Sequence, residues 1–165
     1  MATMSPLLEA PLATQIHVVA IALAVCLAPV QLFRTRRDAW HKRLGYVWVS
    51  AMGMAAISSF WISDLRHLGP FSAIHLLSIW VLYSLFRAVQ AVRNGDIAVH
   101  RASLQSLATF ALVGAGVFTF APYRMMNRMI FPGSPQTGFY IALLAGAVFF
   151  GWYCARSLFV RPRPQ

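Results

Sequence analysis

The stretch IHVVAIALAVCLAPVQLFRTRRDAWHKR, residues 16–43, decides the fold because the chain repeats it. Residues 74–102 read IHLLSIWVLYSLFRAVQAVRNGDIAVHRA. Ile16-His17 matches Ile74-His75, Gln31 matches Gln90, Arg34 matches Arg93, and His41-Lys42 matches His100-Arg101. The shared pattern is Ile-His, an apolar run, Gln-x2-Arg, a turn, and then His followed by a cation. One extra residue in the second copy is expected in the turn, where insertions are tolerated. Each copy reads as a helical hairpin.

Composition says what surrounds these hairpins. The 165 residues are 59% hydrophobic and 11% charged, with a mean hydropathy of +0.62. A soluble domain carries about 25% charged residues. Crossing a bilayer takes about 20 apolar helical residues. Runs at about 12–33, 44–63, 71–92, 103–121 and 138–159 meet that length. Backbone groups in lipid must be satisfied within the segment, so the runs are helices. They lack the alternation of barrel strands. The first run has nothing basic before it and reads as a retained span rather than a cleaved signal peptide. The expected fold is an all-α polytopic membrane protein with five transmembrane helices. Two repeated hairpins form a four-helix bundle and one extra helix is added, within a single membrane domain over 1–165. Repeat one covers about 12–63, repeat two about 71–122, and the extra helix about 138–159.

The net charge of +10 does not indicate nucleic acid, because the cations sit between apolar blocks instead of on one solvated face. They set topology. Arg34, Arg36, Arg37, Lys42, Arg43, Arg87, Arg93, Arg101, Arg156, Arg161 and Arg163 fall on one side, and Arg66, Arg124 and Arg128 on the other. This predicts a bacterial inner-membrane protein with its N-terminus outside and its C-terminus cytoplasmic. Trp40, Trp61, Tyr123 and Tyr140 are expected as interfacial anchors. Asp38 and Asp96 are expected to cap the second and fourth helices. Residues 123–131, YRMMNRMIF, read as a short amphipathic segment in the outer interface. Gly53 and Gly114-Ala115-Gly116 would permit close helix contact. Cys26 and Cys154 read as small buried hydrophobes without a disulfide.

The repeat places four histidines on four helices. His17 and His75 share an outer depth, and His41 and His100 share an inner depth about 24 Å away, at about 1.5 Å rise per residue. Two such pairs are what a membrane protein with two haems requires, because each b-type haem takes two axial imidazoles from facing helices. Arg34, Arg93, Lys42, Arg101 and Arg43 are placed to pair with haem carboxylates on the inner side. Arg66, Arg124 and Tyr123 are the outer candidates. Gln31 and Gln90 are expected to hydrogen-bond an inner ligand or each other, and Pro29 to loosen the first helix beside them. His67 reads as a solvated loop residue.

On these four histidines and their depths, the chain resembles the cytochrome b561-like superfamily, in which four helices give two bis-histidine haem sites. The resemblance implies one or two haem b groups and electron transfer across or within the membrane, with a quinone as the expected partner. The motif Q-x2-R-x6-H-[KR] with a following Gly45, together with FTFAPYRMMNRMIF at residues 118–131, is also similar to an uncharacterised family of bacterial predicted membrane proteins. That likeness implies no activity.

A different reading stands beside the haem one. The chain can be a non-enzymatic membrane subunit or assembly factor of a larger complex, with structural histidines. Transport of a small solute through the two-repeat bundle is disfavoured, because the spans carry almost no acidic groups for coupling. Met52, Met54, Met125, Met126 and Met129 lack ligand spacing and read as packing. No zinc cluster, carboxylate pair or phosphate loop is present in the sequence.

Overall fold

The computed structural model describes residues 4–34, 36–62 and 73–159. Among these the chain is helical throughout, with no strand. A short turn, α1 (Ser5–Leu8), precedes α2 (Leu12–Phe33) and α3 (Ala39–Ser58), which ends in a 3-10 turn at Ser59–Trp61. Then come α4 (Ala73–Arg93) and α5 (Ile97–Ser106). A π-helical stretch over Leu107–Val113 joins α5 to α6 (Gly114–Thr119), so the helical run is Ile97–Thr119. Last are α7 (Met125–Ile130) and α8 (Pro135–Phe159). Among the described residues, five helices have the length and apolar character of membrane spans. Arg66, His67, Arg161 and Arg163 lie outside the described residues.

Helix starts follow local chemistry. The first span matches the sequence reading residue for residue. The second begins at Ala39 instead of 44, and the fourth at Ile97 instead of 103. The two expected caps explain this. Asp38 accepts the His41 backbone N–H at 3.0 Å, and Asp96 accepts that of Val99 at 3.0 Å. Each helix therefore starts at its cap, one charged turn before its apolar run begins. α8 starts at Pro135, where a missing N–H does no harm.

One sequence expectation needs correcting. His17 and His75 are 58 positions apart, but Gln31 and Gln90, and His41 and His100, are 59 apart. The extra residue therefore lies within the helix between His17 and Gln31, not in the turn. Asp38 and Asp96 are again 58 apart, so His41 stands three residues after its cap and His100 four. One residue is a turn of about 100° around a helix. The matched residues do not occupy matched helix faces.

Residues 7–111 form one compact unit. Within it α2 packs on α3, α4 packs on α5, and α3 packs on α4. Ala20, Ala24 and Ala28, spaced four apart, make the buried stripe of α2. They let α3 come close with Ala51, Ala55 and Ala56. Trp48 covers the stripe and donates its Nε1–H to the Ala24 carbonyl at 3.0 Å. α4 buries Ser78, Val81, Leu85 and Ala88 at helical spacing. Its outward face shows Leu76, Ile79, Tyr83 and Phe86, as lipid-facing surfaces do.

The second unit holds α6, α7 and α8. The glycines that sit close to neighbours are not the expected Gly114 and Gly116, which have open space around them. A Cβ at Gly146 would stand 3.1 Å from Val117 and 3.2 Å from Val113, and one at Gly138 would run into the Phe131 ring. Asn127, in α7, is completely buried. Its amide donates to the Phe120 carbonyl and, at 2.8 Å, to that of Pro135. Neither cysteine is in a disulfide, and Cys26 is exposed. The expected burial does not hold for Cys26, because it lies off the alanine stripe that α2 turns to α3.

Candidate functional site

All four helices of the first unit contribute to one cavity of about 670 Å³ at the end where Gln31, His41, Arg93 and His100 lie. Its size falls in the usual range for small-molecule and cofactor sites. α2 supplies Ala28, Gln31 and Leu32, and α3 supplies His41, Lys42, Trp48 and Val49. α4 supplies Val89, Val92 and Arg93. α5 supplies His100, Arg101, Leu104 and Gln105. Arg37 and Asp38 close it from the turn. The cavity is thus apolar along its walls, with two imidazoles and four cations around it.

His100 is held from α4: its Nδ1–H donates to the Ala88 carbonyl at 2.9 Å. A carbonyl only accepts, so this bond fixes the tautomer and leaves the Nε2 lone pair as the open coordination position. His41 is held differently. Its backbone N–H binds Asp38, and its carbonyl accepts from Gln31 Nε2 at 3.1 Å. Its ring Nε2 faces the Arg37 guanidinium at 3.2 Å, while Nδ1 is buried with no partner. Gln31 Oε1 and Arg34 Nε are likewise buried without partners. Three residues of the repeated Gln-Arg-His motif, all in the first copy, therefore carry unsatisfied polar atoms. Such groups call for an explanation, commonly a bound species.

The second copy departs from this pattern. Gln90 is exposed and does not line the cavity, because the shifted register carries it away. Arg34 turns to Asp38 in an ion pair at 2.5 Å and does not line the cavity. That guanidinium, and after it the His41 N–H, holds the Asp38 carboxyl below its ordinary range. Lys42, Arg93 and Arg101 are exposed at the rim.

His17 and His75 do not line this cavity; both meet the end of α3. His17 donates Nδ1–H to the Ala55 carbonyl at 2.8 Å, with Ser58 Oγ at 3.4 Å, which leaves its Nε2 open. His75 is buried, with its ring 5.6 Å from that of Phe60. Ser59 Oγ and Ser78 Oγ, at 2.6 Å, tie the same segment to α4. In the second unit, Arg124 stacks over the Phe118 ring at 4.3 Å, after an exposed Tyr123 with φ of 70°.

Sequence reasoning missed Arg37 and Trp48 as cavity residues. The signal was present for Trp48: it stands seven residues after His41, two turns along the same face of α3. Arg37 was hidden in a run of topology-setting cations. Among the described residues there is no cluster of three or more His, Cys, Asp or Glu side chains suited to a metal ion.

No curated protein and no solved structure matches the chain. One family model does, that of a predicted membrane protein family (DUF2306), over residues 14–156. That match reaches into all five spans, and the chain belongs to this family of membrane proteins.

Proposed function

We propose that this membrane protein binds b-type haem and carries electrons across or within the inner membrane. One observation carries the reading: His41 and His100, from different hairpins, line one apolar-walled cavity whose rim is cationic. The donor set suits haem in three respects. His100 offers an open Nε2 with its tautomer fixed from behind. Val49, Val89, Val92 and Leu104 suit an apolar macrocycle. Arg37, Lys42, Arg93 and Arg101 suit its two carboxylates.

Bound haem supplies one-electron redox chemistry. The residues of the chain bind it, orient it and exclude water from the apolar wall. His17 and His75 are the proposed ligands of a second group at the opposite end, and Gln31 supports the cationic end. The cationic end faces the cytoplasm in this reading, with the N-terminus outside, and a quinone is the proposed electron partner.

The test is a reduced-minus-oxidised absorption spectrum of protein purified in detergent from haem-replete cells. Haem bands that disappear in a folded His100→Ala variant support the reading. A colourless, well-folded wild-type protein sinks it.

A second reading has its own support. His17 and His100 each donate to a carbonyl of a neighbouring helix, so they act as staples without any cofactor. The protein is then a non-enzymatic membrane subunit or assembly factor of a larger complex. Loss of partner co-purification in His17→Ala, with no haem bands in the wild type, favours this alternative.

A further inference from the structure

The two histidines that share the cavity are chemically unequal. His100 keeps its proton on Nδ1, in the bond to Ala88, and offers Nε2. At His41 the Arg37 guanidinium can only donate, so Nε2 is the acceptor and its lone pair is engaged. The neutral ring then carries its proton on Nδ1, which is buried with no partner. The main chain of His41 is pinned on both sides, by Asp38 and by Gln31. Only the ring is left to change state. The register difference between the copies is the origin: three residues from the cap to His41, four to His100.

Resting on the haem reading, we propose that His100 would hold the haem, and that the His41 side of the cavity would stay open to a neutral diatomic molecule. Arg37 decides whether His41 competes for that position. A lone pair held by a charge-assisted hydrogen bond is unavailable to a metal until the bond breaks. A small uncharged molecule meets no such barrier, since Ala28, Trp48 and Val49 give it an apolar surface on that side. It binds by donating its own lone pair. No electron or proton is transferred, and the His41 Nδ1 proton stays in place. Arg37 is a positioning residue here, acting through His41.

The experiment titrates carbon monoxide into dithionite-reduced, haem-loaded full-length protein and follows the absorption spectrum. The wild type is expected to shift its main band as carbon monoxide binds. Arg37→Gln removes the charge-assisted bond and so loosens the hold on the His41 lone pair, and carbon monoxide affinity should fall by about tenfold. His41→Ala should keep its haem and bind carbon monoxide at least as tightly as the wild type. His100→Ala should lose the haem. A haem-loaded wild type whose spectrum ignores carbon monoxide overturns the proposal. So does unchanged affinity in both Arg37→Gln and His41→Ala, or haem loss from His41→Ala with retention in His100→Ala. A wild type without haem overturns the haem reading and this proposal together, whereas a haem-loaded wild type that ignores carbon monoxide overturns this proposal alone.

Discussion

Asp38 accepts the backbone N–H of His41 at 3.0 Å, so the residue that starts α3 also fixes where that histidine enters the cavity. The same carboxylate binds Arg34 at 2.5 Å. Replacing Asp38 with Ala removes both contacts. The first turn of α3 should fray, and hydrogen exchange at residues 39–42 should accelerate while the rest of α3 stays protected. Uniform acceleration along α3 would instead mean that the cap matters to the whole helix.

The same carboxylate predicts a pH response. Arg34 and the His41 N–H hold the Asp38 carboxyl below its ordinary value in the folded protein. A depressed pKa means that its stabilising contribution is complete above the unfolded-state value and is lost as pH falls through the lower folded one. The α3 start should therefore be insensitive to pH from neutral down to the ordinary carboxylate range, and should loosen only below it. In Arg34→Gln the same loosening should begin at higher pH. Exchange at residues 39–42, followed against pH in both proteins, reads the difference. An identical profile in the variant would falsify the assignment to Arg34.

Ala24 is fully buried beneath Trp48, whose indole N–H reaches the Ala24 carbonyl. Ala24→Leu pushes α3 off the alanine stripe, and overpacking of this kind costs about 1–3 kcal/mol. Trp48→Phe keeps most of the apolar contact and loses one hydrogen bond, at about 0.5–1.5 kcal/mol. Thermal unfolding in detergent should rank Ala24→Leu as the less stable. The reverse order would place the stability of this contact in the indole bond instead of the close helix approach.

How far the sequence disclosed this depends on whether a feature repeats along the chain or around it. The spans, the caps at Asp38 and Asp96, and the placement of His41 and His100 at the same end of their hairpins are linear features, and the sequence shows them directly. Which way a residue faces is an angular feature, and a shift of one position changes it by about 100°. That is why Gln90, the formal match of Gln31, ends up exposed, and why His41 and His100 bind different partners. Arg37 escaped notice because its charge already had a sufficient explanation in topology. Gly114 and Gly116 misled for a related reason: small residues permit close contact but do not create it.

His17 tests how a histidine within a span is held. It donates to the Ala55 carbonyl at 2.8 Å, but that carbonyl also accepts from Ser58 Oγ at 3.1 Å. His17→Ala therefore leaves the acceptor served. The loss should fall near the low end of about 0.5–1.5 kcal/mol for a hydrogen bond. The double variant His17→Ala, Ser58→Ala should lose about the sum of the two single losses, because the Ser59 backbone N–H still serves the Ala55 carbonyl, and a clearly greater loss would mean that the two side chains hold that carbonyl jointly. Additive losses in detergent unfolding would show that the two donors act independently.

Asn127 gives the clearest contrast in the second unit. Its buried amide donates to two carbonyls, those of Phe120 and Pro135, and so ties the residues before α7 to the start of α8. Its Oδ1 is buried with no partner. Asn127→Ala removes both bonds and should cost about 1–3 kcal/mol. Asn127→Asp keeps the shape but replaces the donor with an acceptor facing two carbonyl oxygens. Burying a charge without a partner is worse than leaving a small gap. Limited proteolysis between residues 120 and 135 should therefore rise in the order wild type, Asn127→Ala, Asn127→Asp. If Asn127→Asp were as resistant as the wild type, the amide could not be the donor to both carbonyls, and the tie between α7 and α8 would have to come from packing at Gly138 and Phe131 alone.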